Sequence, residues 1–337
     1  MDLTDPKQKS AAIACAGPLL AVLERSQRTE LFKATMNLNI EDAGDALGGL
    51  AVGLASLEPM QRRSVIEAIL SLNHEDDATF LMILGRVLTL IESDQRESIV
   101  TASLSFINEE DRAEAIAGLG CGLEVLTPLQ RKRLFEAGVQ LIEQSHWAVA
   151  MAGLSHGFKF MPEDLKKLIV QRTCQEEDRE IQSTMVDGLS TSLEHLETEQ
   201  RLNLVAVALT IEASDDQDIA IAGLCGKLEC FEALEQSALF ESAMELAGQE
   251  ATQSILTLTG KIALLNELQR DKLIKVALQL EGYEQANVLG ALGNALPLLT
   301  PKHQETVLEA ASLLEEPGYQ AHALAGLVLG TVQIRPA

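Results

Sequence analysis

"LTPLQRKRL" (residues 126–134) reads as the opening of a helix. The chain writes it again as "LEPMQRRSV" (57–65), "LETEQRLNL" (196–204) and "LNELQRDKL" (265–273). In "TPLQ", Thr127 is placed to cap a helix, Pro128 takes the first helical position, where a missing N–H costs nothing, and Gln130 falls at the third. "NELQ" (266–269) repeats this with Asn266, whereas Glu24, Glu58, Glu92 and Glu197 hold the cap position in other copies and Met161 cannot cap. With Gln130 as register mark, its equivalents are Gln27, Gln61, Gln95, Asp164, Gln200, Glu235, Gln269 and His303. Successive intervals are 34, 34, 35, 34, 36, 35, 34 and 34 residues. Spacing this even over nine marks is the signature of a repeat architecture.

Other columns keep the register. Four residues before the mark sit Leu23, Leu57, Ile91, Leu126, Phe160, Leu196, Phe231, Leu265 and Leu299, all apolar. Four after it sit Leu31, Val65, Ile99, Leu134, Leu168, Leu204, Leu239, Leu273 and Val307, again all apolar, with small residues such as Ala68, Ala137 and Ala277 following. This is the stripe of an amphipathic helix, helix B. Upstream lies a second stripe, helix A, as in "DALGGLAVGLASL" (45–57) and "AIAGLGCGLEVL" (115–126), where Gly49, Gly53, Gly118 and Gly122 alternate with leucines. Glycine weakens a helix by about 1 kcal/mol, so its recurrence at helical spacing points to a neighbouring helix at close range. The B-to-A connections are acidic: "IEDAGD" (40–45), "NHEDDA" (73–78), "NEEDRAE" (108–114), "QEEDRE" (175–180) and "EASDDQD" (212–218). Carboxylates there offset the positive end of the following helix dipole, and in register they form an acidic ridge.

The 337 residues include 26 basic and 50 acidic side chains, a net charge of −24. That sign opposes phosphate backbones and anionic membranes, whose binding rests on Lys and Arg, and favours basic proteins, basic peptides or cations as partners. The cysteines (Cys15, Cys121, Cys174, Cys225, Cys230) are scattered and form no CxxC, so they read as reduced thiols used as small apolar groups. The first residues lack the charged-then-apolar order of a signal peptide, and no apolar run reaches ~18 residues. The expected location is cytoplasmic, or a host cytosol reached without a classical signal peptide.

The two-stripe unit and its period resemble the HEAT, armadillo and TPR group of α-solenoids over nearly the whole chain. The period matches TPR, but no copy carries W-x-x-L-G-x-x-Y; the leucine-rich helices and the Arg after the mark look more HEAT-like. TAL-effector DNA readers share the period and "LTP" phrases, but their basic DNA-binding face is opposed by the charge here. The resemblance implies an all-α fold, a right-handed α-solenoid of about nine stacked two-helix copies plus a terminal helix around "QAHALAGLVLGTV" (320–332), in one domain over 1–337. It also implies an extended surface for binding other macromolecules.

Directly after the mark come Arg28, Arg62, Arg96, Arg131, Arg201 and Arg270. Such a ladder either presents guanidinium groups to acidic peptides or phosphates, or pairs internally with carboxylates of its own or a neighbouring copy. The copy about 146–195 departs most: Met161 at the cap, Leu165 where Arg is usual, Arg172 and Gln175 on the apolar stripe. Trp147, the only tryptophan, stands beside His146 and near His156. Trp and Arg are enriched in binding hot spots, so Trp147, His146, His156, Arg172, Arg131 and Arg201 are the candidate partner-contact residues. The other reading of this copy is a tolerated defect. "SDDQD" (214–218) lacks the Gly turn and distal Glu of an EF-hand, and no GxSxG, HExxH, P-loop or GxGxxG occurs. No catalytic, cofactor or metal site is expected. The expected function is a non-enzymatic scaffold, adaptor or inhibitor, in one setting a secreted bacterial effector, that binds a protein or basic peptide on a concave surface. The rival is an acidic decoy for basic nucleic-acid-binding proteins; direct nucleic-acid or membrane binding is not expected.

Overall fold

The computed structural model describes residues 5–39, 42–72, 78–212, 214–247 and 252–332. Among them the chain forms α-helices and short 3-10 segments and no strand, so the all-α expectation holds. The connection 73–77, with His74, lies outside the described residues.

The helices fall into two compact units, Met1–Pro162 and Glu163–Ala337. The first holds α1 (Pro6–Ala16), α2 (Arg25–Met36), α3 (Gly44–Val52), α4 (Pro59–Ser71), α5 (Thr79–Arg86), α6 (Ser93–Ser105), α7 (Glu109–Gly120), α8 (Pro128–Val139) and α9 (Gln144–Ser155). The second holds α10 (Glu163–Gln175), α11 (Arg179–Ser190), α12 (Thr198–Ala208), α13 (Ser214–Cys225), α14 (Ala233–Ala247), α15 (Gln253–Gly260), α16 (Glu267–Gln279), α17 (Gly282–Ala291), α18 (Pro301–Ser312) and α19 (Pro317–Val332). Odd-numbered helices are A, even-numbered are B. Within each unit A helices pack on the next A helix, B helices on the next B helix, and each B helix on a neighbouring A helix.

Helix B begins where the capping chemistry places it. Gln27, Gln61, Gln130, Gln200 and Gln269 each turn back to accept the backbone N–H of Glu24, Glu58, Thr127, Glu197 and Asn266, at 2.7–3.1 Å. All five are closed capping boxes, including the three capped by glutamate. The apolar column before the mark is core: Leu57, Leu126, Leu196 and Leu265 are buried.

Helix A differs from the continuous stripe expected. It stops near Gly53, Gly122 and Gly157, and the chain finishes in a one-turn 3-10 segment such as Leu54–Ser56, Leu123–Val125 or Phe158–Phe160. In these segments the N–H reaches back three residues, as in Leu126 N to Leu123 O at 3.2 Å. The tighter turn rotates the chain into the next B helix while its first side chain, Leu54, Leu123 or Phe158, stays buried.

The copy around 160–168 is corrected by one residue. Met161, buried, closes its 3-10 turn in extended conformation as Leu126 does after Leu123–Val125. Ile169, fully buried, matches Leu134, whereas Leu168 is exposed. The mark is therefore Leu165 rather than Asp164. The intervals around it become 165 − 130 = 35 and 200 − 165 = 35, and Lys166 stands in the arginine column.

Candidate functional site

The two residues at and after the mark work in opposite directions. After accepting its cap bond, the Gln side chain still has an amide to donate, and it donates to the preceding B helix: Gln130 Nε2 to Glu97 Oε2 at 2.7 Å, Gln200 Nε2 to Glu163 Oε1 at 3.3 Å. The Gln130 bond, then Arg133 at 2.5 Å, holds the Glu97 carboxyl below the usual carboxylate range. The Arg side chain points forward. Arg28 Nη1 donates to Ser56 O, Arg96 Nη1 to Val125 O and Arg270 Nη1 to Leu298 O, at 2.8–3.1 Å. Each acceptor ends the 3-10 segment of the following copy. Lys166 makes the equivalent bond to His195 O at 3.0 Å, which confirms the corrected register.

Nearer acceptors complete the pattern. Arg131 reaches Leu123 O and Arg201 reaches Leu193 O and Leu196 O, in the segments preceding their own helices. Where the column holds glutamine the bonds persist: Gln236 donates to Leu228 O and Phe231 O, Gln304 to Leu296 O and Leu299 O. The column therefore binds the orphan carbonyls that a helix end leaves, not the carboxylates of an internal ladder. Since glutamine serves at 236 and 304, Arg201→Gln is expected to change stability by less than ~0.5 kcal/mol. Arg201→Leu, which deletes the donors, is expected to cost about 1–2 kcal/mol in urea unfolding. Equal costs would show that the charge, not the donor, matters.

The six candidate contact residues do not form one cluster. Arg131, His146, Trp147 and His156 lie in the first unit, Arg172 and Arg201 in the second. Arg131 stacks on Phe160 with its guanidinium carbon 4.0 Å from the ring centre. Trp147 is 2% exposed. In the corrected register it occupies the slot of Arg112, Gln182, Gln217 and Gln285. Those side chains donate to carbonyls at the end of the preceding B helix: Phe106 O, Thr173 O, Ala208 O and Leu278 O. Its position is thus an internal brace rather than a surface anchor. His146 is half-buried, with Nδ1 enclosed and without a hydrogen-bond partner. His156 is exposed and its Nδ1 lies 2.9 Å from Gly153 O. Arg172 is half-buried in the last turn of α10.

Of the acidic connections, Asn108 and Asp178 accept from first-turn amides of α7 and α11, and Asp45, Glu180, Asp215 and Asp216 sit in first turns. They act on helix dipoles as the sequence implies. Among the described residues no three His, Cys, Asp or Glu side chains converge on a metal-sized point, and no helix is long and apolar enough to cross a membrane. All five thiols are free; burial pushes Cys225 up to about 12, whereas Cys15 and Cys121 are exposed rather than packed.

One feature of the phrase carries no structural duty. The residue before the mark is the second of helix B and faces outward, and it is apolar in four copies. Met60, Leu129, Leu234 and Leu268 are 74%, 67%, 78% and 79% exposed. Other copies place Ser26, Asp94, Asp164, Glu199 and Lys302 there, so the fold does not require a hydrophobe. In the second unit the feature extends: Leu264 and Leu298, ending adjacent 3-10 segments, are also exposed. Leu234, Leu264, Leu268 and Leu298 thus mark consecutive A-to-B junctions, with exposed Glu232 and Glu267 beside them. A run of outward leucines at one repeat position is unlike the scattered single hydrophobes normal on surfaces. Helical phase reveals it in the sequence: five residues before the buried column is about 140° away around the helix, a position where leucine has no core to enter. No family model matches the chain, and no curated protein is similar to it in sequence.

Proposed function

We propose that the chain is an α-solenoid scaffold that binds a partner protein through the leucine-bearing A-to-B junctions of residues 228–302. The observation that carries this reading is the exposure of Leu234 and Leu268 at an equivalent position of adjacent copies. Two neighbouring B helices about 10 Å apart would present these side chains as a strip suited to an apolar ridge on another protein. The acidic rim and the net charge of −24 favour a partner whose contact surface is apolar at its centre and basic at its edge. The Trp147 region is the less favoured contact site, because its ring is buried.

Leu234→Ser with Leu268→Ser is expected to leave stability within ~0.5 kcal/mol, since both side chains are exposed. The same pair should lower capture of the partner about tenfold or more in quantitative cross-linking from lysate at high salt. Undiminished capture would contradict the reading. The decoy reading rests on the charge alone and predicts the opposite salt behaviour: capture of many basic proteins at low salt, lost at high salt, indifferent to the two leucines.

A further inference from the structure

Both tyrosines of the chain stand at one place. Tyr283 on α17 and Tyr319 on α19 meet edge to face, with ring centres 6.1 Å apart, and the His322 ring lies 5.9 Å from Tyr283. In a protein with only 3% aromatic residues, three rings together are a concentrated feature. His322 Nε2 is 3.5 Å from Asn287 Oδ1, which ties α19 to α17.

Beside them is a cavity of about 430 Å³ whose walls include Tyr319, Leu313, Leu314, Glu281, Glu315 and Glu316. No Lys, Arg or His side chain lines it. Among the described residues Glu281, Glu315 and Glu316 enter no ion pair, although surface glutamates elsewhere do, such as Glu194 with Lys227 and Glu229 with Lys261. The Glu316 charge, and next its hydrogen bonding with the hydroxyl, raise the Tyr319 phenol above its ordinary value, so the ring stays neutral. Gly282 shapes the mouth. Its φ of +56° is the only positive value among the described glycines, and a Cβ built there would sit 3.8 Å from the Tyr319 ring. Glycine is the residue that adopts this turn without strain.

An aromatic face, the aliphatic side chain of half-buried Leu314 and unneutralised carboxylates together select one chemistry: a cation carried on an apolar stem or shell. The volume lies in the range of small-ligand sites. We propose that the cavity between α17 and the α18–α19 connection binds an alkylammonium or guanidinium group, with Tyr319 as the cation–π wall and Glu281, Glu315 and Glu316 as the counter-charge. The source of that group is either a free organic cation or a Lys or Arg side chain of a docked protein. The site is independent of the leucine strip, which lies at the opposite, A-to-B end of the helix pairs.

The test is NMR titration of the full chain, following Tyr319, Tyr283 and His322 resonances. The probes are choline, its neutral isostere 3,3-dimethylbutan-1-ol, and blocked lysine and arginine. The cations are expected to shift these signals saturably, with the isostere at least about tenfold weaker. Tyr319→Leu and Glu316→Gln should each weaken the cations about tenfold, while Tyr319→Phe keeps the ring and most of the affinity. Leu234→Ser with Leu268→Ser should leave the titration unchanged, which separates this site from the docking strip. Tighter choline than blocked lysine or arginine identifies a free ligand; the reverse identifies a partner side chain. Equal binding of choline and its isostere, or no saturable shift with any cation at millimolar concentration, would overturn the proposal.

Discussion

Gly120→Leu is expected to destabilise the first unit by at least about 3 kcal/mol, and Gly120→Ala by somewhat less. A Cβ built on Gly120 overlaps the backbone carbonyl of Gly153, and one on Gly153 overlaps the Cα of Ala117. These atoms are main chain, so no rotamer change relieves the overlap; α7 and α9 must separate. Separation would open voids beside Ala115, Leu119 and Leu154, all fully buried, adding a cavity cost to the steric one. Gly260, the last residue of α15, supplies the control because a Cβ there meets nothing within 4 Å. Gly260→Ala is expected to be neutral or to stabilise by up to about 1 kcal/mol. Urea midpoints for the three variants decide the matter; similar midpoints for Gly120→Ala and Gly260→Ala would refute the close-packing role.

Asp218→Ala carries the second large effect, about 2–3 kcal/mol. Asp218 lies on α13 and is 4% exposed, yet both of its oxygens are used. Oδ2 accepts from Gln253 N at 2.7 Å and Oδ1 from Ser254 N at 2.9 Å. These amides open α15, whose own N-cap Thr252 makes no side-chain cap bond. One copy thus caps the A helix of the next, with a carboxylate at the positive end of its dipole. Ser10, at the equivalent position, does the same for Ala46 N at 3.1 Å. Asp218→Ser should therefore recover part of the loss, and faster hydrogen exchange at Gln253 and Ser254 in Asp218→Ala should accompany the destabilisation. Unchanged exchange at both amides would sink the capping role.

Much of this is legible in the sequence. The apolar columns and the capping phrase located every B helix, because cap bonds and amphipathic burial are local. The glycine spacing anticipated close A-helix approach. Four features escape for identifiable reasons. The 3-10 break in helix A is hidden because leucines at spacings of three and four suit either turn. The register of the copy at 160–168 was set by the acidic Asp164, whereas core contact chose Met161 and Ile169 and delivered Lys166 to the arginine column. Trp147, the only tryptophan, reads as a contact residue on its rarity, but its column mates Arg112, Gln182 and Gln217 show that the slot is an internal brace. The arginine ladder is plainly periodic; that its acceptors are carbonyls rather than carboxylates depends on the 3-10 ends, which periodicity does not display.

Within each compact unit, neighbouring copies are joined by Gln reaching back and Arg reaching forward. Deleting residues 236–269 tests it most directly, since 269 − 235 = 34 residues removes one whole copy and joins Glu235 to Arg270 in register. In a stack whose stability comes from nearest-neighbour contacts, circular dichroism of this variant should keep the helicity per residue and a cooperative urea transition. Deleting only 236–252, half a copy, should lose both. Equal damage from the two deletions would contradict the account.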